Sequence, residues 1–320
     1  MRNVLIDTDT ASDDAVALIM ALRSPSIRVS AITVVAGNVP VTQGAHNALY
    51  TVELCGSETP VFAGAERPLR RSLQIADWFH GRDGLSNHGY APERRHVEAT
   101  HAVDAIVDTI RAHPGIEIVT LGPLTNLALA LAREPGLTAN VSRCVVMGGA
   151  PCCEGNVTPA AEYNIWVDPE AARAVFRSGL AVELIGWQLC RGEAMINQAE
   201  IGYIESLGTS YGNFAIGSNS TAIASILRQT GEVGISLPDP VAMGVLLNPA
   251  LSLRESRHFV EVETESELTR GMTVVDRLNV AQDIRNREVW SEAIRCGQQA
   301  TVCWKLDVVR WKRLLFDSLR

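Results

Sequence analysis

Val4-Leu5-Ile6-Asp7-Thr8-Asp9-Thr10-Ala11-Ser12-Asp13-Asp14-Ala15-Val16-Ala17-Leu18 begins as a strand and ends as a helix. A run of apolar residues suits a strand covered on both faces, and this run stops at Asp7. Past Ser12, taken as the helix cap, the apolar residues Ala15, Leu18, Ile19 and Leu22 recur at helical spacing. The same alternation continues along the chain. Strands are expected at 29–36, 61–63, 116–121, 144–147 and 182–185, and helices at 41–54, 101–112, 124–132 and 169–176. Strands alternating with helices imply right-handed crossovers and parallel pairing. The expected fold is therefore α/β: a single open, mostly parallel sheet with flanking helices and a Rossmann-like core, one domain spanning 1–320. The last third is less regular. It carries helical stretches at 222–228 and 240–247, strand-like segments at 259–262 and 273–275, and a final helix over 307–319.

In such a sheet, ligands sit outside the carboxyl ends of the strands. That singles out Asp7, Asp9, Asp13 and Asp14, then Asn38, Leu121-Gly122-Pro123, Met147-Gly148-Gly149 and Asp239. Four aspartates across one strand-to-helix turn repel one another unless something offsets their charge. A helix N-terminus contributes only about 0.3–1 kcal/mol per charge. A divalent cation is the natural compensation, and carboxylates without nearby His or Cys favour a hard ion, calcium or magnesium.

Composition excludes several other chemistries. The 320 residues are 47% hydrophobic and 20% charged, as in an ordinary globular chain with a substantial core. A net charge of -8 argues against a nucleic-acid or anionic-membrane partner. The only lysines are Lys305 and Lys312, so no P-loop or Schiff-base lysine precedes them. Seven scattered cysteines, including adjacent Cys152-Cys153, lack zinc-ligand spacing and fit reduced thiols in a cytoplasmic protein. No signal peptide is read at Met1-Arg2-Asn3, and no apolar run reaches the roughly 18 residues of a membrane span.

The aspartate motif resembles the amino-terminal signature of the inosine-uridine-preferring nucleoside hydrolases. The likeness continues in order through Ala31-Ile32-Thr33-Val34-Val35-Ala36-Gly37-Asn38, Leu121-Gly122-Pro123-Leu124-Thr125-Asn126, Met147-Gly148-Gly149, Glu154-Gly155-Asn156, Glu162-Tyr163-Asn164 and Asp239-Pro240. It implies a nucleoside hydrolase-like fold and cleavage of ribonucleosides to ribose and free nucleobase, as in purine or pyrimidine salvage. It implies Ca2+ held by Asp9, Asp14, the Leu121 carbonyl and Asp239, with Asp9 as base toward a calcium-bound water. Asp13 and Asn164 would bind the 2′- and 3′-hydroxyls, and Asn156 and Glu162 the 5′-hydroxyl. Met147 would pack on the sugar, and Asn38 would orient the water or touch the base. The family's usual assembly implies a homodimer or homotetramer. The chemistry such cleavage requires agrees: a delivered water, a base for its proton, carboxylates near a cationic sugar, and help for the departing base.

The chain also departs from that pattern. Many members place a proton-donating His immediately before the last metal-binding Asp, where this chain has Pro238. The substitutes are His80, His88, or stacking of the base on Trp78 or Trp187, with His80 favoured because histidine titrates near neutrality. Gln188 stands where relatives often show Asp, Asn38 where a purine-specific subgroup tends to carry an acid, and the Glu154 loop is one residue longer than in some relatives. Two other functions compete. A haloacid-dehalogenase-like phosphatase would use Asp7 and Asp9 as nucleophile and acid, but it needs a mid-chain Lys that is missing. A non-catalytic nucleoside or ribose binder would not need Asp9.

Overall fold

Asp7 sits where the chain's directions of travel diverge. The computed structural model describes residues 1–296 and 299–320. Strand β1 (Arg2–Thr8) lies inside an eight-stranded sheet and pairs in parallel with β2 (Ile27–Val34) on one side and β4 (Ile116–Thr120) on the other. Asp7 is level with Thr33 and Thr120 on these neighbours. The chain first builds outward through β2 to β3 (Val61–Ala63). It then returns to the far side of β1 and builds through β4, β5 (Val141–Met147) and β6 (Val182–Ile185). The order β3-β2-β1-β4-β5-β6 opens a crevice above the carboxyl ends of β1 and β4, because the connections leave in opposite directions there.

Helices cover both faces. Along the chain they are α1 (Ser12–Leu22), α2 (Val41–Leu54), α3 (Ala102–Ala112), α4 (Thr125–Arg133) and α5 (Pro169–Phe176). The later ones are α6 (Gln198–Ser206), α7 (Ser210–Ser218), α8 (Ser220–Thr230), α9 (Pro238–Leu247) and α10 (Val308–Leu319). Two apolar layers result. One contains α1, α2, α9 and α10, and the other contains α3, α4 and α5. No helix is long and apolar enough to cross a membrane among the described residues.

The expected α/β architecture is the one observed, with several differences of detail. Ser12 is the first helical residue rather than the cap; Ala11 occupies the cap position, and its N–H donates to Asp14 Oδ2 at 2.9 Å. Two further strands, β7 (Ser252–His258) and β10 (Ala300–Leu306), extend the sheet beyond β6, with β10 parallel to β6 and antiparallel to β7. They escape periodicity because β7, at the edge, is mostly exposed, so Ser252-Leu253-Arg254-Glu255-Ser256-Arg257-His258 needs few apolar residues and its charges blunt the edge. The strand-like segments at 259–262 and 273–275 pair with each other instead, as the antiparallel strands β8 (Val260–Val262) and β9 (Thr273–Val275).

Helix α9 is buried from Asp239 to Leu246, wedged against α1 and α10. Trp311 of α10 is fully buried against it, and its indole N–H donates to Pro240 O at 3.0 Å. A Cβ on Gly244 would come within 2.7 Å of the Trp311 ring, so the glycine lets the two helices meet. Trp311→Ala should lower stability by about 3–5 kcal/mol, the usual cost of deleting a buried aromatic. Urea unfolding measures this; a loss below about 1 kcal/mol would mean that the α9–α10 contact is not an anchor.

Candidate active site

Above the crevice lies a cavity of about 470 Å3. Its floor is acidic. Asp9 and Asp14 are fully buried, while Asp13 and Asp239, also buried, line the cavity. Asp13, Asp14 and Asp239 each place a carboxylate oxygen within 4.8 Å of the other two. Asp13 and Asp14 come from the first turn of α1 and Asp239 from the first turn of α9, so two helix N-termini face this trio.

Asp9 stands beside the trio. Its Oδ2 accepts the Asn38 N–H at 2.6 Å, and its buried Oδ1 has no hydrogen-bond partner. The main chain folds tightly around it. A Cβ on Gly37 would collide with Asp9 Oδ2, and one on Gly122 would lie 2.8 Å from Oδ1. The turn that follows carries Thr10 at a φ of 22°, uncommon for a β-branched residue and costly unless its surroundings hold it. Asn47 Nδ2 does so by donating to Thr10 O at 2.9 Å.

Burial dominates the electrostatics. Desolvation pushes Asp9 and Asp239 well above the ordinary carboxylate range, and their acidic neighbours push further in the same direction. Asp13 is raised to about 7 by burial and then by Asp14. Asp14 is raised by burial too, although hydrogen bonds from Thr8 Oγ1 and the Ala11 N–H favour its charged form. Asp13 Oδ1 and Asp239 Oδ1, like Asp9 Oδ1, are buried and have no partner among the described residues. Unpaired buried acceptors around negative charge are what a cation site needs. Burial raises Asp7 to about 7 as well; Thr33 Oγ1 and Asn126 Nδ2 bond its Oδ1 at 2.6 and 2.9 Å, tying β1 to β2 and α4, while its buried Oδ2 has no partner among the described residues.

The walls bring together the rest of the sequence set. Asn38, Leu121, Met147, Asn156, Glu162 and Asn164 all line the cavity. Asn164 Nδ2 donates to Leu121 O at 2.7 Å and lies 3.3 Å from Met147 Sδ. Glu162 accepts the N–H groups of Gly149 and Asn164, at 2.7 and 2.9 Å, and caps the short helix Tyr163–Val167. Burial raises it to about 7. Asn156 Oδ1 accepts the Tyr163 N–H at 2.9 Å, which fixes this side chain in the cavity wall.

Trp78, Trp187 and His80 line the cavity as well. His80, expected in a loop, closes a one-turn helix, Asp77–His80. Its Nδ1 lies 2.8 Å from Ser12 Oγ, and burial pushes its pKa down to about 4. The reason for favouring it, titration near neutrality, therefore does not hold in this setting; its ring is neutral at pH 7. His88 is exposed, 3.2 Å from Ser220 Oγ, and outside the cavity lining. Gln188 serves the fold, donating to Cys303 O at 2.9 Å.

The inosine-uridine preferring nucleoside hydrolase model matches residues 4–312. The chain belongs to that family. It is 37% identical over 329 residues to the pyrimidine-specific ribonucleoside hydrolase of Shewanella sp. (strain ANA-3), covering 99% of this chain and 96% of that protein. It is 35% identical over 289 residues to the pyrimidine-specific ribonucleoside hydrolase of Escherichia coli (strain SE11), covering 90% and 91%. A plant nucleoside hydrolase superposes with a TM-score of 0.90 at 32% identity, covering 99% of this chain and 98% of that one. This nucleoside hydrolase is thus an enzyme that cleaves the N-glycosidic bond of ribonucleosides, in a metal-dependent hydrolase family. The phosphatase and silent-binder readings fall.

Some of the nucleoside hydrolase's site was not visible in the sequence. Ser12, expected only as a helix cap, meets His80 behind the cavity, and Ile226, inside the expected helical stretch 222–228, forms part of the cavity wall together with Gln229 and Thr230 just beyond it. Arg191 also lines the cavity and pairs with Glu154 at 2.6 Å. Gly37 and Gly122 carried a signal, glycines flanking strand ends, that went unused. On the proposal that Asp9 is the base, Gly37→Ala, whose Cβ would collide with it, should cost at least about 10²-fold in kcat. Circular dichroism should stay native. A folded variant of normal kcat would show that Asp9 does not need its tight enclosure.

Proposed function

We propose that the resident metal is calcium and that Asp9 is the base of the hydrolysis. The observation that carries this is the buried trio of Asp13, Asp14 and Asp239, with carboxylate oxygens within 4.8 Å of one another, beside an Asp9 whose Oδ1, like Asp13 Oδ1 and Asp239 Oδ1, has no partner among the described residues. An all-oxygen, carboxylate-rich donor set fits a hard divalent ion. Asp14, Asp239, Asp9 Oδ1 and the Leu121 carbonyl hold it, while Asp13, which unlike Asp9 and Asp14 lines the cavity, reaches the sugar. When bound, the cation supplies the positive charge that acidifies a water and orients the ribose hydroxyls.

The remaining steps belong to the chain. Asp9, held through Oδ2 by the Asn38 N–H, is the carboxylate that takes the proton of the attacking water. Asn164 and Asp13 take the 2′- and 3′-hydroxyls, and Asn156 and Glu162 the 5′-hydroxyl. The buried carboxylates stabilise the cationic sugar as the base departs. Trp78, half exposed, and Trp187 flank the base. His80 acts as a neutral hydrogen-bond donor in the tautomer in which Nδ1 accepts from Ser12 Oγ, 2.8 Å away, and Nε2 carries the ring proton.

Chelation tests the metal reading. Stripped enzyme should lose ribose release from a panel of purine and pyrimidine nucleosides, and calcium should restore it. Calcium at 100 times its Kd should add about 2.7 kcal/mol of stability, because it binds only the folded chain. Full activity after thorough stripping would overturn the assignment.

His80→Ala tests leaving-group help. It should slow natural nucleosides by at least about tenfold, and p-nitrophenyl riboside, whose nitrophenolate leaves unassisted, much less. With a pKa near 4, His80 should contribute no inflection to kcat/KM between pH 5.5 and 8. Equal slowing of both substrates would assign His80 to binding or folding instead.

A further inference from the structure

Helix α9 carries Asp239 at one end, and its other end is held in an unusual way. The last carbonyls of a helix lack intrahelical donors. Here Asn248 N–H reaches Gly244 O at 2.8 Å, but the next residue is Pro249, which has no N–H to give Val245 O. Arg143 Nη2 donates to Val245 O instead, at 3.3 Å. Arg2 supplies the remaining two carbonyls, Nη1 to Leu246 O and Nη2 to Leu247 O, each at 3.0 Å. All four terminal acceptors are thereby satisfied, three of them by guanidinium groups.

Those guanidiniums are themselves fixed to the sheet. Arg2 Nη1 lies 3.0 Å from both carboxylate oxygens of Glu117. Arg143 Nε donates to Glu183 Oε2 at 2.6 Å, and its Nη1 sits 3.7 Å from Glu117 Oε2. Arg2, Glu117, Arg143 and Glu183 stand at the amino ends of the neighbouring strands β1, β4, β5 and β6, the end opposite the cavity. A ten-residue helix spans about 15 Å at 1.5 Å per residue, so α9 joins this ion-pair cluster to the acidic floor as a rod. The positive charge also complements the negative end of the helix dipole, while the positive end faces Asp239.

We propose that Arg2 and Arg143 are positioning residues for the metal site. They clamp the carboxyl end of α9 to the sheet and so set where Asp239 stands relative to Asp13 and Asp14. This rests on the reading that Asp14 and Asp239 are among the groups that hold a divalent cation. It gives the ion-pair cluster at the far end of the sheet a share in cation affinity without contact with the ion.

The test is calorimetric titration of stripped full-length enzyme with calcium chloride, together with thermal melting of the stripped form. The double variant Arg2→Met/Arg143→Met should raise the calcium Kd by about 10–100-fold, the scale for partners that orient a metal ligand. Its kcat at saturating calcium should stay near that of the wild type. Arg2→Lys, which keeps a charge and fewer donors, should fall between and guards against a double variant that does not fold. Arg177→Met provides the contrast: Arg177 is held bidentately by Glu261, at 2.9 and 3.0 Å, away from α9. It should lower the melting temperature and leave the calcium Kd unchanged. Unaltered calcium affinity in the folded double variant, or an equal loss in Arg177→Met, overturns the proposal. Wild-type enzyme that binds no calcium at all would instead overturn the metal reading beneath it.

Discussion

Asp9, Asp13, Asp14 and Asp239 are buried together, where each carboxylate loses its hydration and feels the charge of the others. Isolated charges in such a place would neutralise themselves or unfold the site. Much of the surrounding structure answers this one constraint. Two helices aim their N-termini at the cluster, Thr8 and the Ala11 N–H bond Asp14, and the Asn38 N–H bonds Asp9. Each contributes a little, and none cancels several charges. The oxygens left without donors fit the proposed cation, which would serve stability and chemistry at once.

The fold delivers these groups from distant parts of the chain. Reversal of strand order between β1 and β4 opens the crevice, and the glycines at 37 and 122 let the main chain close over Asp9. Met147 ends β5, Glu162 and Asn164 open a short helix beyond it, and Asp239 opens α9. On the proposed reading, sugar recognition rests on these rigid element ends, and Trp78, half exposed in a one-turn helix that lines the cavity, would receive the base.

The sequence made the parallel core legible because β1 and β4–β6 are covered on both faces and so read as apolar runs. It also made the floor legible, since four aspartates in eight positions cannot be an ordinary helix start. The edge strands β7 and β10 were not legible: β7 faces solvent, and its pairing is set by a partner more than forty residues on. Nor was the state of His80, because its pKa depends on burial by segments far away in sequence. Arg2 and Arg143 carry no signal in the sequence; only the fold brings them to the end of α9.

The central claim is a place for one ion, and diffraction from crystals grown with calcium tests it most directly. Anomalous difference density should show a single strong peak bounded by the Asp14 and Asp239 carboxylates, Asp9 Oδ1 and the Leu121 carbonyl, with Asp13 on the sugar side. A fully active enzyme whose crystals show no peak there, or whose only ion sits elsewhere, would contradict the account.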